Sequence, residues 1–340
     1  MPEGHSVHRI ANQFAQTFVG HRVAASSPQG RFAAGAAQLD GVRMIGSKAV
    51  GKQLFLEFEG GLFLRVHLGL YGAWDFAGRI STQPSAATTG GRKGRARQQG
   101  LVLDSEGEDS PHSIGAPRTT RLRMAESERR HDDVEEGFPP EPVGQVRVRL
   151  LIDDAVADLR GPTKCEVLSP AEVDEVLAKL GPDPLVDSPR VGERRFRERI
   201  ARTRTPIGLL LMDQSVVSGI GNIYRAEMLF RARLDPWTPG QQVPPELATA
   251  LWKDWTKLLK SGVELGQMMT RDGLRGKAYE RALAQRDERH WVYHREGLPC
   301  RICRTTVTME DAAGRKLYWC PSCQAGIGPD EMGPASQEAS

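Results

Sequence analysis

Residues 53–68 read QLFLEFEGGLFLRVHL. Two β-type runs, QLFLEF and LFLRVHL, flank Glu59-Gly60-Gly61, a pattern that predicts a hairpin. Working outward, similar short runs recur as RVAAS (22–26), VRMIG (42–46), GAWDF (72–76) and QVRVRLLI (145–152). No helical period separates them, so an antiparallel β-sandwich fits better than a βαβ sheet. Ahead of the strands, Val7, Ile10, Ala11, Phe14 and Phe18 fall at helical spacing and predict a first helix that packs on this sheet.

Residues 77–143 interrupt the strand pattern with GRISTQPSAATTGGRKGRARQQG, an acidic run LDSEGEDS and a mixed-charge stretch ending in EEGFPPEP. That composition predicts a disordered insert that leaves and rejoins the same sheet, with RKGRAR as an accessory DNA contact or a plain solvated linker. Residues 159–190 read as a Pro-rich interdomain linker holding one helix, with Ser169 as N-cap and Pro170 at the first helical position. Beyond it, 191–266 alternates helical periodicity with short breakers, which predicts a mostly α second domain.

The chain of 340 residues carries 46 Lys and Arg against 43 Asp and Glu, a net charge of +3. That balance allows two or more domains and a sizeable core. No stretch approaches the ~18 uninterrupted apolar residues a membrane span needs. The start MPEGHSVHRI lacks the plan of a secretory signal, so a reducing cytoplasm is expected. Charge is unevenly distributed: residues 151–189 carry 3 basic and 9 acidic groups, and residues 190–340 carry 24 and 18. The segment RVGERRFRERIARTRT (190–205) holds seven Arg and two Glu, which suits either a solvated helical face or a surface beside a polyanion.

Of the five cysteines, Cys300-x2-Cys303 and Cys320-x2-Cys323 lie 16 residues apart. Two such knuckles predict one tetrahedral Zn²⁺ held by four thiolates, with no open position and hence a structural metal. The stretch between them, TVTMEDAAGRKLYW, reads as a hairpin with Gly314-Arg315 near its tip. Cys165 reads as a small core residue. GIGNIYRAE (219–227) joins two apolar helical stretches through a Gly-rich turn, with Asn222 as N-cap, an arrangement that suits a phosphate but is common between helices. At the N-terminus, removal of Met1 would leave Pro2 as a secondary amine. An α-amine titrates near pH 8 and can attack an electrophilic carbon, with Glu3 beside it to move a proton. On these residues alone, an ordinary N-terminus remains the alternative.

The start MPEG-x4-Arg9, Lys52 in GKQLF, HLGLYGAW, GIGNIYRAE and the C-terminal C-x2-C…GRKLYWCPSCQ occur in an order that resembles the formamidopyrimidine-DNA glycosylase and endonuclease VIII family. Outside the insert and the last ~15 residues, the resemblance covers essentially the whole chain. It implies an α+β, multidomain fold: residues 1–158 a catalytic β-sandwich interrupted at 77–143, 159–190 a linker, 191–287 a helix-two-turns-helix domain, 288–325 a Cys₄ zinc hairpin and 326–340 a flexible tail. It implies a bifunctional DNA glycosylase with AP lyase activity. Pro2 would be the nucleophile toward C1′, Glu3 the acid, Lys52 the phosphate-binding lysine of β-elimination, and Arg315 the hairpin arginine linked to δ-elimination.

Asn222 and Arg147 would contact DNA, Arg147 being the less clear match because the insert blurs the register. Gly69-Leu70-Tyr71 would fill the space left by a flipped nucleotide, with glycine standing where bacterial endonuclease VIII carries a polar side chain. MPEGH and LGLYG look most like the actinobacterial endonuclease VIII branch, which favours oxidised pyrimidines over 8-oxoguanine. The implied partner is damaged DNA, duplex or single-stranded, and the chain would be a monomer at the bacterial nucleoid. A catalytically silent member that only binds damaged or abasic DNA is the main alternative, yet it should have lost Pro2, Glu3 or Lys52. A zinc nuclease would need an open metal position.

Overall fold

The computed structural model describes residues 2–80, 112–116 and 137–326. Met1, the basic run 92–97 and the tail after 326 lie outside the described residues. The chain divides into two units, residues 1–179 with 262–267, and residues 180–261 with 268–340. Among the described residues, no helix is long and apolar enough to cross a membrane.

The first unit opens with helix α1 (Gly4–Thr17), whose Val7, Ile10, Phe14 and the following Phe18 are buried. Nine antiparallel strands follow, with the short helix α2 (Ala33–Leu39) between the first two: β1 (Arg22–Ser26), β2 (Val42–Val50), β3 (Gln53–Phe58), β4 (Leu62–His67), β5 (Ala73–Gly78), β6 (Ser113–Gly115), β7 (Val146–Leu151), β8 (Ala155–Arg160) and β9 (Lys164–Leu168). They form one sheet in the order β6-β5-β8-β7-β1-β2-β3-β4-β9. The layers of the expected sandwich are thus continuous, and side chains from β2–β4 and β5–β8 share a single core with α1. The hairpin read from 53–68 forms as expected, with Phe58 opposite Leu62 and Gln53 opposite His67.

Aromatic packing fixes α1 in this core. The Phe14 ring lies 4.8 Å from Trp74, 5.3 Å from Phe76 and 5.1 Å from Phe18. Such pairs add about 0.5–1.5 kcal/mol each beyond their area burial. The helix is held at its C-terminal half, and its N-terminal turn, with Pro2 and Glu3 before it, is placed by that clamp.

Two expectations are corrected. The span 77–143 is not wholly outside the fold: β5 runs to Gly78, and Ser113–Gly115 adds an edge strand with Ile114 only 1% exposed. The three-residue strand is too short to show a period. Likewise, 159–190 is only partly a connection, because Lys164–Leu168 pairs with β4 and the helix α3 (Pro170–Ala178) belongs to the same unit. The β9 sequence KCEVL has its outermost residue exposed and the rest half-buried, which hides the alternation of an inner strand. The α3 start is as read, with Ser169 and Glu172 forming a reciprocal capping box.

From the corrected insert follows a stability test. Ile114→Ala should cost about 2–5 kcal/mol, read as a fall in Tm, because it empties a core position. An unchanged unfolding curve would show that β6 contributes nothing to the core.

The second unit contains α4 (Pro189–Ala201), α5 (Ile207–Leu210), α6 (Asn222–Arg231), most of α7 (Pro245–Leu265), α8 (Gly276–Ala284) and the hairpin β10 (Thr308–Asp311) with β11 (Lys316–Trp319). One core joins Phe196, Ile223, Tyr224, Trp252 and Trp255 to Val307, Leu317 and Tyr318 of the hairpin region. The hairpin is therefore packed into the helical unit and does not stand as a separate module.

Candidate active site

In the first unit, Pro2 is buried and Glu3 is the N-cap of α1, in extended conformation (φ −120°, ψ −176°). Glu3 is 0% exposed, yet its side chain does not cap its own helix. The carboxyl is thus kept at the positive end of a helix dipole without being spent on the helix N–H groups. The first turn around it is polar and closed: His5, Ser6, His8 and Arg9 are all buried. Arg9 donates from Nη1 to the Val263 carbonyl at 2.6 Å, in the short 262–267 segment that groups with this unit. Burial, reinforced by Arg9, pushes the His5 imidazole down to about 3. His5 is therefore neutral at physiological pH and does not act as an imidazolium acid.

Lys52 sits in the two-residue turn between β2 and β3, since Val50 pairs with Gln53. Gly51 precedes it with φ +59°, the positive value that a tight hairpin of this kind needs at its first central position. α1 packs against both strands of the hairpin. His67, opposite Gln53 at the same sheet end, is held down to about 4 by burial first and then by Lys52 and Arg65. The His67 ring beside Lys52 is thus neutral at physiological pH.

His67 leads into the 68–72 turn, where Leu70 is 37% and Tyr71 40% exposed while Leu68 is 3% exposed. Two large apolar side chains displayed on a tight turn are unusual for a plain connection. Gly69 stands at φ +67°, and a Cβ there would lie 2.3 Å from the Thr163 methyl carbon. No side chain fits at 69 without moving Thr163, whose N–H and Oγ1 both donate to the His67 carbonyl, at 2.9 and 3.0 Å. The glycine is therefore a requirement of this turn.

Arg147 lies on β7 where the register with β8 shifts between Val146 and Val148, and its Nε donates to Gln29 Oε1 at 2.9 Å. A bulge of this kind re-aims a side chain. Its neighbour Arg149 is different: it is buried in a bidentate pair with Asp158, both contacts at 2.8 Å. Cys165 is half-buried on β9 against the core, and burial pushes its thiol up to about 12, as suits an inert packing residue.

In the second unit, Gly221 and not Asn222 is the N-cap of α6. Asn222 is the first helical residue, and its Nδ2 donates to the Lys316 carbonyl of β11 at 2.8 Å. Fully buried Arg225 donates to Asn222 Oδ1, to the Lys316 carbonyl at 3.3 Å and to the Gly208 carbonyl at 3.4 Å. The GIGN turn and the hairpin are tied together by this network. Arg315 is exposed and follows the Ala313-Gly314 turn directly, with Ala312 and Arg315 exchanging backbone hydrogen bonds at 2.8 and 3.3 Å.

Glu227, the last residue of GIGNIYRAE, has a role that the motif alone does not reveal. Its fully buried carboxylate receives Thr270 Oγ1 at 2.5 Å and the N–H groups of Trp291, Val292 and Tyr293 at 2.7, 2.9 and 2.9 Å. Burial raises its pKa against these four donors. It anchors the segment that leads into the cysteine knuckles. The available signal was a charged pair, Arg225 and Glu227, inside an otherwise apolar helix.

The thiols of Cys300, Cys303, Cys320 and Cys323 all lie within 4.8 Å of one another. Cys300 and Cys323 are 3.8 Å apart and Cys303 and Cys320 are 3.4 Å apart. Four sulfurs at about 2.3 Å from a common tetrahedral centre stand about 3.8 Å from each other, so the set fits a metal ion.

Comparison with known proteins matches this arrangement in order. The model of the formamidopyrimidine-DNA glycosylase N-terminal domain matches residues 1–130, that of the H2TH domain residues 180–273, and that of the zinc finger found in FPG and IleRS residues 297–326. Endonuclease 8 1 of Mycobacterium bovis is 36% identical over 324 residues, covering 95% of this chain and 100% of the relative. Formamidopyrimidine-DNA glycosylase of Thermus thermophilus is 33% identical over 205 residues, covering 57% of this chain and 73% of the relative. Among solved structures, the Fpg protein of Thermus thermophilus shares the fold with a TM-score of 0.63 at 24% identity, over 96% of this chain and 100% of that one. Lactococcus lactis Fpg in complex with DNA containing an abasic site does so with a TM-score of 0.63 at 19% identity, over 95% and 99%. Full-length similarity to an endonuclease VIII, together with the three matched domains, means that this chain belongs to the formamidopyrimidine-DNA glycosylase and endonuclease VIII family, in its actinobacterial branch.

Proposed function

We propose that this protein is a bifunctional DNA glycosylase and AP lyase of base excision repair that acts on oxidised bases, pyrimidines ahead of 8-oxoguanine. The observation that carries the reading is Glu3, sealed at 0% exposure beside Pro2 and not used to cap its helix. A carboxyl sealed directly after the candidate nucleophile suits proton transfer in the reaction.

Once Met1 is removed, the Pro2 amine attacks C1′ of the damaged nucleotide. Glu3 delivers a proton to the ring oxygen as the sugar opens, the proton shed by the Pro2 amine leaves with the base, and the product is an iminium linking Pro2 to C1′. Loss of a C2′ proton then breaks the C3′–O bond in β-elimination, and δ-elimination breaks the C5′–O bond. Hydrolysis of the remaining iminium frees Pro2. Lys52 and Arg315 act as phosphate-binding cations in these eliminations, and Asn222 and Arg147 as DNA contacts. Leu70 and Tyr71 wedge into the stack left by the flipped nucleotide, whose extrusion costs a few kcal/mol and least at damaged pairs. One Zn²⁺ on the four cysteines has a structural role only.

The test is a panel of oligonucleotides, each with one defined oxidised base, assayed for base release and strand nicking. Release coupled to nicking, fastest at oxidised pyrimidines, is the expected result. Tight binding with neither release nor nicking would favour a silent damage-binding protein and overturn the proposal.

A further inference from the structure

The helical unit carries a second polar feature that the proposed chemistry leaves unused. At the C-terminal end of α4, Arg199, Arg202, Thr203, Thr205, Asp213 and Ser215 line an open cleft of about 540 Å³. Its floor is apolar, formed by Leu209, Leu210 and Val216.

The charges of α4 are distributed unequally. Arg194 and Arg197 pair with the helix's own Glu198 and Glu193, and Arg195 bonds Asp187 at 2.8 Å. Among the described residues, no carboxylate lies within ion-pair distance of Arg199 or Arg202. Arg199 also has its Nη1 shut off from solvent with no hydrogen-bond acceptor. A guanidinium donor in that state has lost water and gained nothing in return. Asp213 is the one carboxylate lining the cleft, and its Oδ1 already accepts the Ser215 N–H at 2.8 Å. Thr203 Oγ1 accepts the Thr205 N–H at 3.0 Å, which folds the threonines into a fixed turn at the rim.

Thr203 Oγ1 donates in turn to Thr205 Oγ1 at 2.9 Å, so two guanidiniums with the hydroxyls of Thr205 and Ser215 around an apolar floor form the donor set, which suits a tetrahedral oxyanion. We propose that this cleft binds a backbone phosphate of the DNA substrate, distinct from those assigned to Lys52 and Arg315. The inference rests on the DNA glycosylase reading, which supplies a polyphosphate partner. It adds a site that this reading does not require.

The experiment uses the full-length, metal-loaded protein and a duplex with an uncleavable abasic analogue. Its affinity is measured between about 50 and 200 mM salt for wild type, Arg199→Gln, Arg202→Gln, the double variant and Arg199→Lys. The double variant should bind about tenfold more weakly at low salt, with the slope of log affinity against log salt reduced by about 1 per lost phosphate contact. Arg199→Lys should keep the slope because the charge remains. Metal content and Tm are checked in parallel, and if a Gln variant at 199 fails to fold, Arg202→Gln and Arg199→Lys still report on the slope.

Wild-type affinity and slope in the folded double variant would overturn the proposal. A second arm titrates inorganic phosphate alone. Phosphate binding that Arg199→Gln abolishes while DNA affinity and slope stay unchanged would give the cleft to a free anion and also overturn it. Failure of the wild type itself to bind the duplex would instead contradict the functional reading, and is seen before any variant is compared.

Discussion

Glu3→Gln will abolish base release from oxidised-pyrimidine DNA while leaving nicking of a pre-formed abasic site within a few-fold of wild type. The two substrates separate the steps: the first needs a proton for the departing base, and the second has no base to expel. An amide has nearly the shape of the carboxyl and fits the same fully buried position, so the variant should fold. It cannot deliver a proton as an acid does, and removal of a general acid typically costs about 10²–10⁴ in rate. His5 will not substitute, because burial holds it neutral at the pH of the assay. Base release at an undiminished rate would show that Glu3 is structural.

Removal of the metal should have the second large effect, on binding. Cys300 and Cys320 are 0% exposed, and their hairpin contributes Leu317 and Tyr318 to the core of the helical unit. Structural zinc binding is worth about 10–16 kcal/mol in isolated fingers at neutral pH, comparable with the whole stability of a domain. Cys320→Ser should therefore lose stoichiometric zinc and unfold the region around 297–326. Asn222 and Arg225 would then lose the Lys316 carbonyl they hold, and Arg315 its placement. DNA affinity should fall by at least tenfold, read together with elemental analysis and Tm. Wild-type protein purified without chelator yet free of zinc would contradict the assignment.

Much of this architecture is legible in the sequence, for identifiable reasons. The strands around 53–68 show themselves because alternate residues face one core, and α1 because Val7, Ile10, Phe14 and Phe18 form a single buried stripe. What escaped was short or fully enclosed. Strand β6 has three residues, and the helix Ala33–Leu39 has seven and lacks a capping side chain. Helix α6 is legible as a helical stretch after the GIGN turn, but residues 222–230 are buried throughout, which hides what its polar residues hold. Arg225 and Glu227, which solvent would ordinarily claim, are in fact the links that hold the GIGN turn and residues 291–293 in place.

The candidate site divides in the same way. Pro2, Glu3, Lys52 and the cysteines are legible through motif order and chemistry. The reason residue 69 must be glycine is not, because it depends on Thr163, 94 residues away in sequence and adjacent only in the fold.

The central claim is that the nucleophile is the amine of Pro2. Lys52 is the natural competitor, since lysine amines also form imines. At neutral pH, however, an unperturbed lysine is almost wholly protonated, and a neighbouring phosphate favours that charge further. An α-amine titrating near pH 8 keeps a useful free fraction. Borohydride reduction during reaction with an abasic or oxidised-pyrimidine oligonucleotide, followed by peptide mapping of the trapped adduct, decides between them. The adduct should map to residue 2 of protein that has lost Met1; an adduct on Lys52, or efficient trapping by protein that retains Met1, would contradict the account.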